Sequence, residues 1–204
     1  MPAVNLDDRY LIWQLVAVKR GYAVSWFDDA FLKGVRGSLS GVWPADVSCV
    51  LNLDRGYGNP VISDCLMNSG RHLLVSSRLK SFLAGAAGPD IEYWPIQIRD
   101  LGGHLLGEPY FFVHLPNPHR CLDPEATKER LVFTSDPGRP LCRISSFDPV
   151  MLVSWPLANA LADEGFIGFR FMGLFDYGIQ GELPPHIGRS KVEALNARLR
   201  VPKK

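Results

Sequence analysis

The fold is decided by a stretch that occurs twice in the chain. Its first copy reads LLVSSRLKSFL over residues 73–83, and its second copy reads MLVSWPLANAL over residues 151–161. Both copies contain an aliphatic triplet, then a serine, then two leucines spaced four residues apart. Similarity of this kind within one chain indicates a repeated structural unit.

A serine occupies the same position in both copies, where an aliphatic strand ends and a helical pattern begins. The side chains of Ser76 and Ser154 can accept hydrogen bonds from the unpaired amides of a first helical turn. Pro156 fits that turn because its missing N–H would have no partner there. Glycines suited to a left-handed helix end follow, Gly85 or Gly88 in the first copy and Gly165 in the second. We therefore expect two related units of strand, capped helix and strand.

The rest of the chain is mostly β sequence. Residues 91–98 and 109–115 alternate as the two strands of an antiparallel hairpin, with turn residues at 100–103 between them. Pro95 predicts an edge position or a bulge. Further strands are expected at 10–18, 22–27 and 141–147, and helices at 123–130 and, opened by a capping box at Ser190, up to Leu199. These elements predict an α+β fold with a mainly antiparallel sheet and helices packed on one side.

The length of 204 residues fits one compact domain. Within it we expect a β-rich N-terminal segment over residues 1–55, an α+β core over 56–175, and a loop with an amphipathic helix over 176–204. The helix carries Val192, Leu195 and Leu199 on one stripe.

Composition limits the partners and the compartment. Lysine and arginine number 22 against 21 acidic residues, so there is no basic footprint for direct nucleic-acid binding. No apolar run has the length of a membrane helix or a signal peptide, so we expect a cytoplasmic protein that does not bind membranes. The cysteines are expected to be reduced and mostly buried, Cys49, Cys65, Cys121 and Cys142.

No sequence pattern for catalysis was found. Phosphate-binding glycine loops, the GxSxG turn and the HExxH spacing are all missing from the sequence. We therefore expect a protein that is not an enzyme and that needs no metal or cofactor. One alternative stays open, an α+β enzyme or small-ligand-binding protein with a pocket near His114, His119 and Asp123.

Short motifs in a fixed order resemble one bacterial family. They are ISDCL at 62–66, LVS at 74–76, SxRL at 76–79, EYWPI at 92–96, PYFFV at 109–113, CLD at 121–123, VS at 153–154 and GFIGFRF at 165–171. Over residues 60–172 they resemble immunity proteins of polymorphic toxin and type VI secretion systems. The resemblance implies an inhibitor of one cognate effector toxin encoded by the adjacent gene. We expect that toxin to be a nuclease that acts on DNA, blocked by direct contact at or near its active site.

Two segments outside the motifs combine aromatic and acidic residues, the types that would suit the basic cleft of a nuclease. The predicted toxin-binding residues are Trp26, Asp28, Asp29, Phe175, Asp176 and Tyr177. The hairpin loop at 100–103 and the basic C-terminal helix are the alternative surfaces.

Overall fold

The computed structural model describes residues 3–15, 24–26, 50–53, 62–68, 72–100, 102–123, 131–144, 150–177 and 187–199. Backbone contacts divide the chain into two compact units. The terminal unit comprises Met1–Gln14, Ala86–Pro89 and Asn117–Lys204, and the central unit comprises Leu15–Gly85 and Asp90–Pro116. These units do not follow the expected boundaries at residues 55 and 175, and the single compact domain stays a prediction.

The described residues form ten strands and three α-helices. The strands are β1 (Tyr10–Leu15), β2 (Val24–Trp26), β3 (Val50–Leu53), β4 (Met67–Asn68), β5 (Leu74–Ser76), β6 (Glu92–Arg99), β7 (Tyr110–His114), β8 (Leu141–Arg143), β9 (Met151–Ser154) and β10 (Phe169–Gly173). The helices are α1 (Ser77–Ala86), α2 (Trp155–Asp163) and α3 (Ile187–Arg198), with a short 3₁₀ turn at Leu174–Asp176.

These strands form one sheet in each unit. The order is β4-β2-β3-β6-β7-β5 in the central unit and β10-β1-β9-β8 in the terminal unit. Five of the registered pairings are antiparallel, whereas β2 with β4 and β3 with β6 are parallel. The predicted α+β class with mainly antiparallel pairing is confirmed. The strands form two sheets, however, where a single sheet was expected.

Each unit contains the same crossover, from a strand through a helix to a second strand that is not its neighbour. In the central unit β5, α1 and β6 follow one another along the chain, and β7 lies between β5 and β6 in the sheet. In the terminal unit β9, α2 and β10 follow one another, and β1 lies between β9 and β10. The two strand–helix–strand units predicted from the repeat are therefore present, and each is split by one inserted strand.

The two serines of the repeat cap their helices as predicted. Ser76 Oγ accepts from the Leu79 amide at 3.2 Å, and Ser154 Oγ accepts from the Leu157 amide at 3.4 Å. Each serine is also the last residue of its strand. Its own N–H donates at 2.7 Å to a carbonyl of the segment that pairs with that strand, Asp64 in the central unit and Pro140 in the terminal unit. One residue thus joins a sheet to a helix.

The glycines after the helices adopt the left-handed conformation that their positions require. Gly88 has φ +97° and Gly165 has φ +67°. At the end of α2 the Gly165 N–H donates to the Ala162 carbonyl, and the Phe166 N–H donates to the Leu161 carbonyl. This pair of bonds satisfies two carbonyls that a helix end leaves unpaired. Gly85 lies inside α1, so of the two predicted ends it is Gly88 that has the left-handed backbone.

The β6–β7 hairpin is confirmed, with Glu92 opposite His114 and Ile96 opposite Tyr110. Pro95 lies in the half of β6 that precedes its pairing with β3, which covers residues 97–99. Among the described residues, β3 therefore does not pair with Pro95, which is compatible with the predicted edge position. The expected capping box is wrong in position, because α3 already includes Ser190 in its first turn. The expected helix at 123–130 lies, apart from Asp123, outside the described residues.

The terminal sheet is covered on both faces. One face packs on loop residues in a cluster that contains Tyr10, Ile12, Cys142, Ile144 and Leu152 with Leu6, Cys121, Leu122, Leu131, Phe133 and Leu174. Side chains at alternate positions point the opposite way, among them Leu11 and Trp13. On that side α2 contacts β9 and α3 contacts β10, and the predicted stripe of Val192, Leu195 and Leu199 is buried.

Replacing either capping serine by alanine is expected to lower the free energy of unfolding by about 0.5–2 kcal/mol. Ser76→Ala should cost more than Ser154→Ala, since Ser76 Oγ also donates to Asp64 Oδ1 at 3.1 Å. Urea denaturation measures both. Ser81→Ala is the control, because Ser81 only bonds back to its own helix at an exposed position. Equal stability of all three variants and the wild type would contradict the capping role.

The described cysteines Cys65, Cys121 and Cys142 are buried thiols, as predicted, and Cys49 lies outside the described residues. Desolvation raises the pKa of Cys121 to about 11 and that of Cys142 to about 12. Because the thiolate is the reactive form, we expect iodoacetamide at mildly alkaline pH to spare both thiols in the native protein and to modify them in urea. Peptide mass spectrometry reads each site separately, and rapid labelling of native Cys142 would contradict its burial.

The raised pKa values of Cys121 and Cys142 also predict how the free energy of unfolding changes at alkaline pH. Both thiols are neutral in the folded and the unfolded chain below the ordinary thiol pKa, so their burial carries no ionisation cost there. As pH rises from the ordinary thiol pKa of 9.0 toward the raised values, only the unfolded chain can ionise. The free energy of unfolding is therefore expected to fall over this range.

Candidate functional site

The residues predicted to bind a toxin belong to two different units. Trp26 ends β2 in the central unit, where its backbone pairs with Asn52. Asp28 and Asp29 lie outside the described residues. Phe175, Asp176 and Tyr177 belong to the terminal unit and follow β10 in the 3₁₀ turn and just after it.

Asp176 is held inside its own unit. Its side chain is 10% exposed and receives a hydrogen bond from Arg189 Nη2 at 2.5 Å, with Arg189 Nε at 3.5 Å from the second oxygen. Arg189 lies in the first turn of α3. This carboxylate therefore joins the end of β10 to the start of α3.

The neighbours of Asp176 are also engaged in packing. The Phe175 ring lies over Gly173, where a Cβ atom would come within 2.3 Å of the ring. Tyr177 packs against the buried cluster that lies between the terminal sheet and its loops. All three residues therefore make packing or polar contacts within the terminal unit. Toxin contact by these residues stays a prediction.

Further polar contacts fix α3 against the terminal unit. The Asn196 amide accepts from the Phe171 N–H and donates to the Phe171 carbonyl, both at 2.8 Å. These two bonds replace a neighbouring strand at the edge of β10. Arg198 binds Asp163 and also donates to the side chain and carbonyl of Asn159 on α2. The basic helix is thus held by specific contacts along its length.

The residues of the alternative ligand pocket belong to both units. His114 ends β7 in the central unit and stacks on Trp94 with ring centroids 4.2 Å apart. His119 and Asp123 belong to the terminal unit. His119 Nε2 lies 3.4 Å from Ser135 Oγ, and the Asp123 N–H donates to the Val132 carbonyl. The pocket itself stays a prediction.

The loop between β6 and β7 is fixed by its own hydrogen bonds. The Asp100 N–H donates to the His104 carbonyl at 2.7 Å, and the His104 N–H donates to Asp100 Oδ1 at 2.8 Å. The Arg99 guanidinium donates to the Gly103 carbonyl at 2.9 Å. The hydrogen bond from the His104 amide lowers the pKa of the Asp100 carboxyl, so this carboxylate is charged at neutral pH.

Two glycines allow this loop to close. Gly103 has φ +88°, a conformation that other residues rarely adopt. A Cβ atom on Gly102 would lie 3.0 Å from the His104 ring and 3.3 Å from Asp100 Oδ1. The turn chemistry recognised in the sequence therefore corresponds to hydrogen bonds that join Asp100 to Gly103 and His104.

The strand register brings other exposed groups to the same end of the central sheet. Ile96, Tyr110 and Ser76 are aligned across β6, β7 and β5, and the Ser76 N–H bonds to the Asp64 carbonyl beside them. At this row β5 ends and β7 begins, whereas β6 continues to Arg99 along β3 and Leu105 forms a bridge with Arg99. Past the row lie residues 100 and 102–109, the first turn of α1, and residues 62 and 63.

Apolar and acidic side chains are exposed at this end. Leu105 is 48% exposed and Ile62 is 41% exposed. Asp100 and Glu108 supply carboxylates, and neither forms a salt bridge with a lysine or arginine among the described residues. We call Ile62, Asp100, Leu105 and Glu108 together the hairpin end.

The groups behind the hairpin end are locked together. Asp64 accepts from Arg78 Nε at 3.2 Å and from Arg78 Nη2 at 3.1 Å, so these charges compensate each other. The Tyr110 hydroxyl donates to the Ser63 carbonyl at 2.7 Å. Burial, and then the charges of Asp64 and Glu108, raise the pKa of the Tyr110 hydroxyl. Glu108 thus lies in the same electrostatic neighbourhood as Asp64.

Sequence reasoning singled out Asp100 but not the other three members of the hairpin end. The exposure of Leu105 and Ile62 depends on how their segments pair with β6 and β5, and no local sequence pattern specifies that pairing. Within the described ranges, no three His, Cys, Asp or Glu side chains are grouped to hold a metal ion. None of the described helices is long and apolar enough to cross a membrane.

Removing the Asp176 carboxylate is expected to destabilise the protein, because Arg189 would keep its charge at a half-buried position. We expect Asp176→Ala to lower the free energy of unfolding by more than the loss of an exposed ion pair does. Asp163→Ala removes the carboxylate that pairs with Arg198. Because this carboxylate is more exposed than that of Asp176, its loss should lower the free energy of unfolding by less than about 1 kcal/mol. Thermal and urea denaturation measure both, and equal losses would show that the Asp176 pair is no stronger than a surface pair.

The motif residues of the sequence are distributed over both units. The segments at 62–66, 74–79, 92–96 and 109–113 lie in the central unit, and those at 121–123, 153–154 and 165–171 lie in the terminal unit. No protein-family model and no curated protein matches this chain.

Proposed function

We propose that the protein is an immunity protein. It binds a cognate secreted effector toxin, a nuclease that cleaves DNA, and neutralises it by direct contact at or near the toxin's active site. The toxin is encoded by the adjacent gene, and the protein acts in the cytoplasm. It has no catalytic activity of its own and uses no cofactor.

The observation that carries this proposal is the way the motif residues of the central unit hold one another. Asp64 binds both Ser76 and Arg78, and Ser63 receives the Tyr110 hydroxyl. Four of the short motifs thus meet in one hydrogen-bonded framework, although they are up to 47 residues apart in sequence. Their order along the chain has a structural reason, which supports reading them together as the signature of one family.

The same framework suits an inhibitor. A protein that blocks an active site needs a rigid surface with a few anchoring side chains, because ordering flexible groups weakens binding. The framework ends in a loop fixed by internal hydrogen bonds, and this loop carries exposed apolar and acidic side chains. Such a surface is ready to bind without rearrangement.

Co-expression tests the proposal. We expect cells that produce the toxin from the neighbouring gene to die, cells that also produce this protein to survive, and the two proteins to purify as a complex. Expression of an unrelated toxin beside this protein is the control. Death of the co-expressing cells, with both proteins present and soluble, would rule the function out.

The predicted contact at Asp28 and Asp29 is tested in the same cells. If Asp28 and Asp29 contact the toxin, reversal of both residues to lysine weakens the complex, with a larger loss at low salt because the attraction is electrostatic. Asp176 is left unchanged in this variant, since its reversal would break the ion pair with Arg189. Unchanged affinity would place the contact elsewhere.

A further inference from the structure

We infer that the hairpin end, formed by Ile62, Asp100, Leu105 and Glu108, is the surface that binds the toxin, and that it enters a cleft lined by lysine and arginine side chains. The inference rests on the proposed function. The hairpin end belongs to the central unit and contains none of the predicted toxin-binding residues of the two aromatic and acidic segments.

The apolar members supply the first reason. Leu105 and Ile62 are the most exposed of the large apolar side chains in the described residues, and both lie at one end of one sheet. Val4, at 37% exposure, belongs to the terminal unit. A single exposed leucine is ordinary, but two such side chains at one strand end provide anchors that gain from being covered.

Charge supplies the second reason and identifies the partner. Asp100 is held in its charged form by the loop amides, and Glu108 is exposed. Behind them, Arg78 is compensated by Asp64. The exposed Arg99 donates to the Gly103 carbonyl and keeps its positive charge, so the carboxylates of Asp100 and Glu108 outnumber it at this surface. Carboxylates beside apolar groups complement the basic cleft that a nuclease uses to hold phosphates.

Rigidity supplies the third reason. The loop conformation is fixed by the Asp100 and His104 bonds and by two glycines, and residues 62–66 are fixed by the framework that Tyr110 and Ser76 anchor. Both segments are preorganised, so little conformational entropy is lost on binding. Asp176, by contrast, already spends its carboxylate on Arg189 within the terminal unit.

The experiment compares variants of the full chain for binding to the purified toxin from the neighbouring gene. Leu105→Ala is expected to raise Kd by about tenfold or more, mainly through faster dissociation. Glu108→Lys is expected to slow association at low salt, and the loss should shrink at high salt. Asp100→Asn keeps the acceptor for the His104 amide while removing the charge, and should behave like a weaker form of Glu108→Lys.

Two control variants match these changes elsewhere. Glu92→Lys reverses an exposed carboxylate at the opposite end of the same strand, β6. Val4→Ala shortens an exposed apolar side chain of the terminal unit. Both are expected to keep Kd within about twofold of the wild type, as contacts outside an interface do.

The outcomes separate the two claims. If the wild type does not bind the toxin at all, the proposed function fails. If the wild type binds and the double variant Leu105→Ala/Glu108→Lys binds equally well, the hairpin end is not the interface, and the proposed function stands. Thermal denaturation checks each variant for folding. Ile62→Ala tests the same surface from a different segment should the loop variants unfold, and it is expected to weaken binding as Leu105→Ala does.

Discussion

One residue in each unit forms part of the sheet and part of the helix at once, and the rest of the fold depends on it. The amide of Ser76 or Ser154 bonds to the segment that pairs with its strand, while the hydroxyl accepts from the amide three residues later. Because both bonds belong to one short side chain and its own backbone, they fix the angle at which the helix leaves the sheet. In the central unit Asp64 adds a third bond and a charge, which also orients Arg78.

The sequence was most informative where the structural cause is local. Serine before a helical pattern, glycine after it, and alternation around 100–103 each act within a few residues, and the caps and the hairpin follow from them. The insertion of β7 and β1 into the two crossovers was not predictable in this way. It depends on pairing between segments far apart in sequence, as between β1 and β9, and no local pattern specifies that partner.

The candidate site shows the same division. The residues around Asp176 in the sequence predict an exposed acid. In the structure its carboxylate pairs with Arg189 of the following helix, within the terminal unit. Leu105 lies between the predicted turn at 100–103 and the predicted strand at 109–115, and it forms an isolated bridge with Arg99 while its side chain stays exposed. The framework of the motif residues lies behind the exposed hairpin end, and the two share Ile62, which belongs to the motif at 62–66.

The position of β1 separates this strand in time from the strands that it pairs with. Residues 10–15 are synthesised before every other described strand, yet both neighbours of β1 in the sheet, β9 and β10, are the last two of these strands. The Trp13 ring, whose centroid lies 4.4 Å from that of Phe169 in the folded protein, therefore meets that partner only after all the other described strands have been made. The described strands of the central sheet all lie between residues 24 and 114 and are synthesised during this interval. Until then Tyr10, Leu11, Ile12 and Trp13 are an apolar segment without its partner strands, which makes the nascent chain vulnerable to aggregation at this segment.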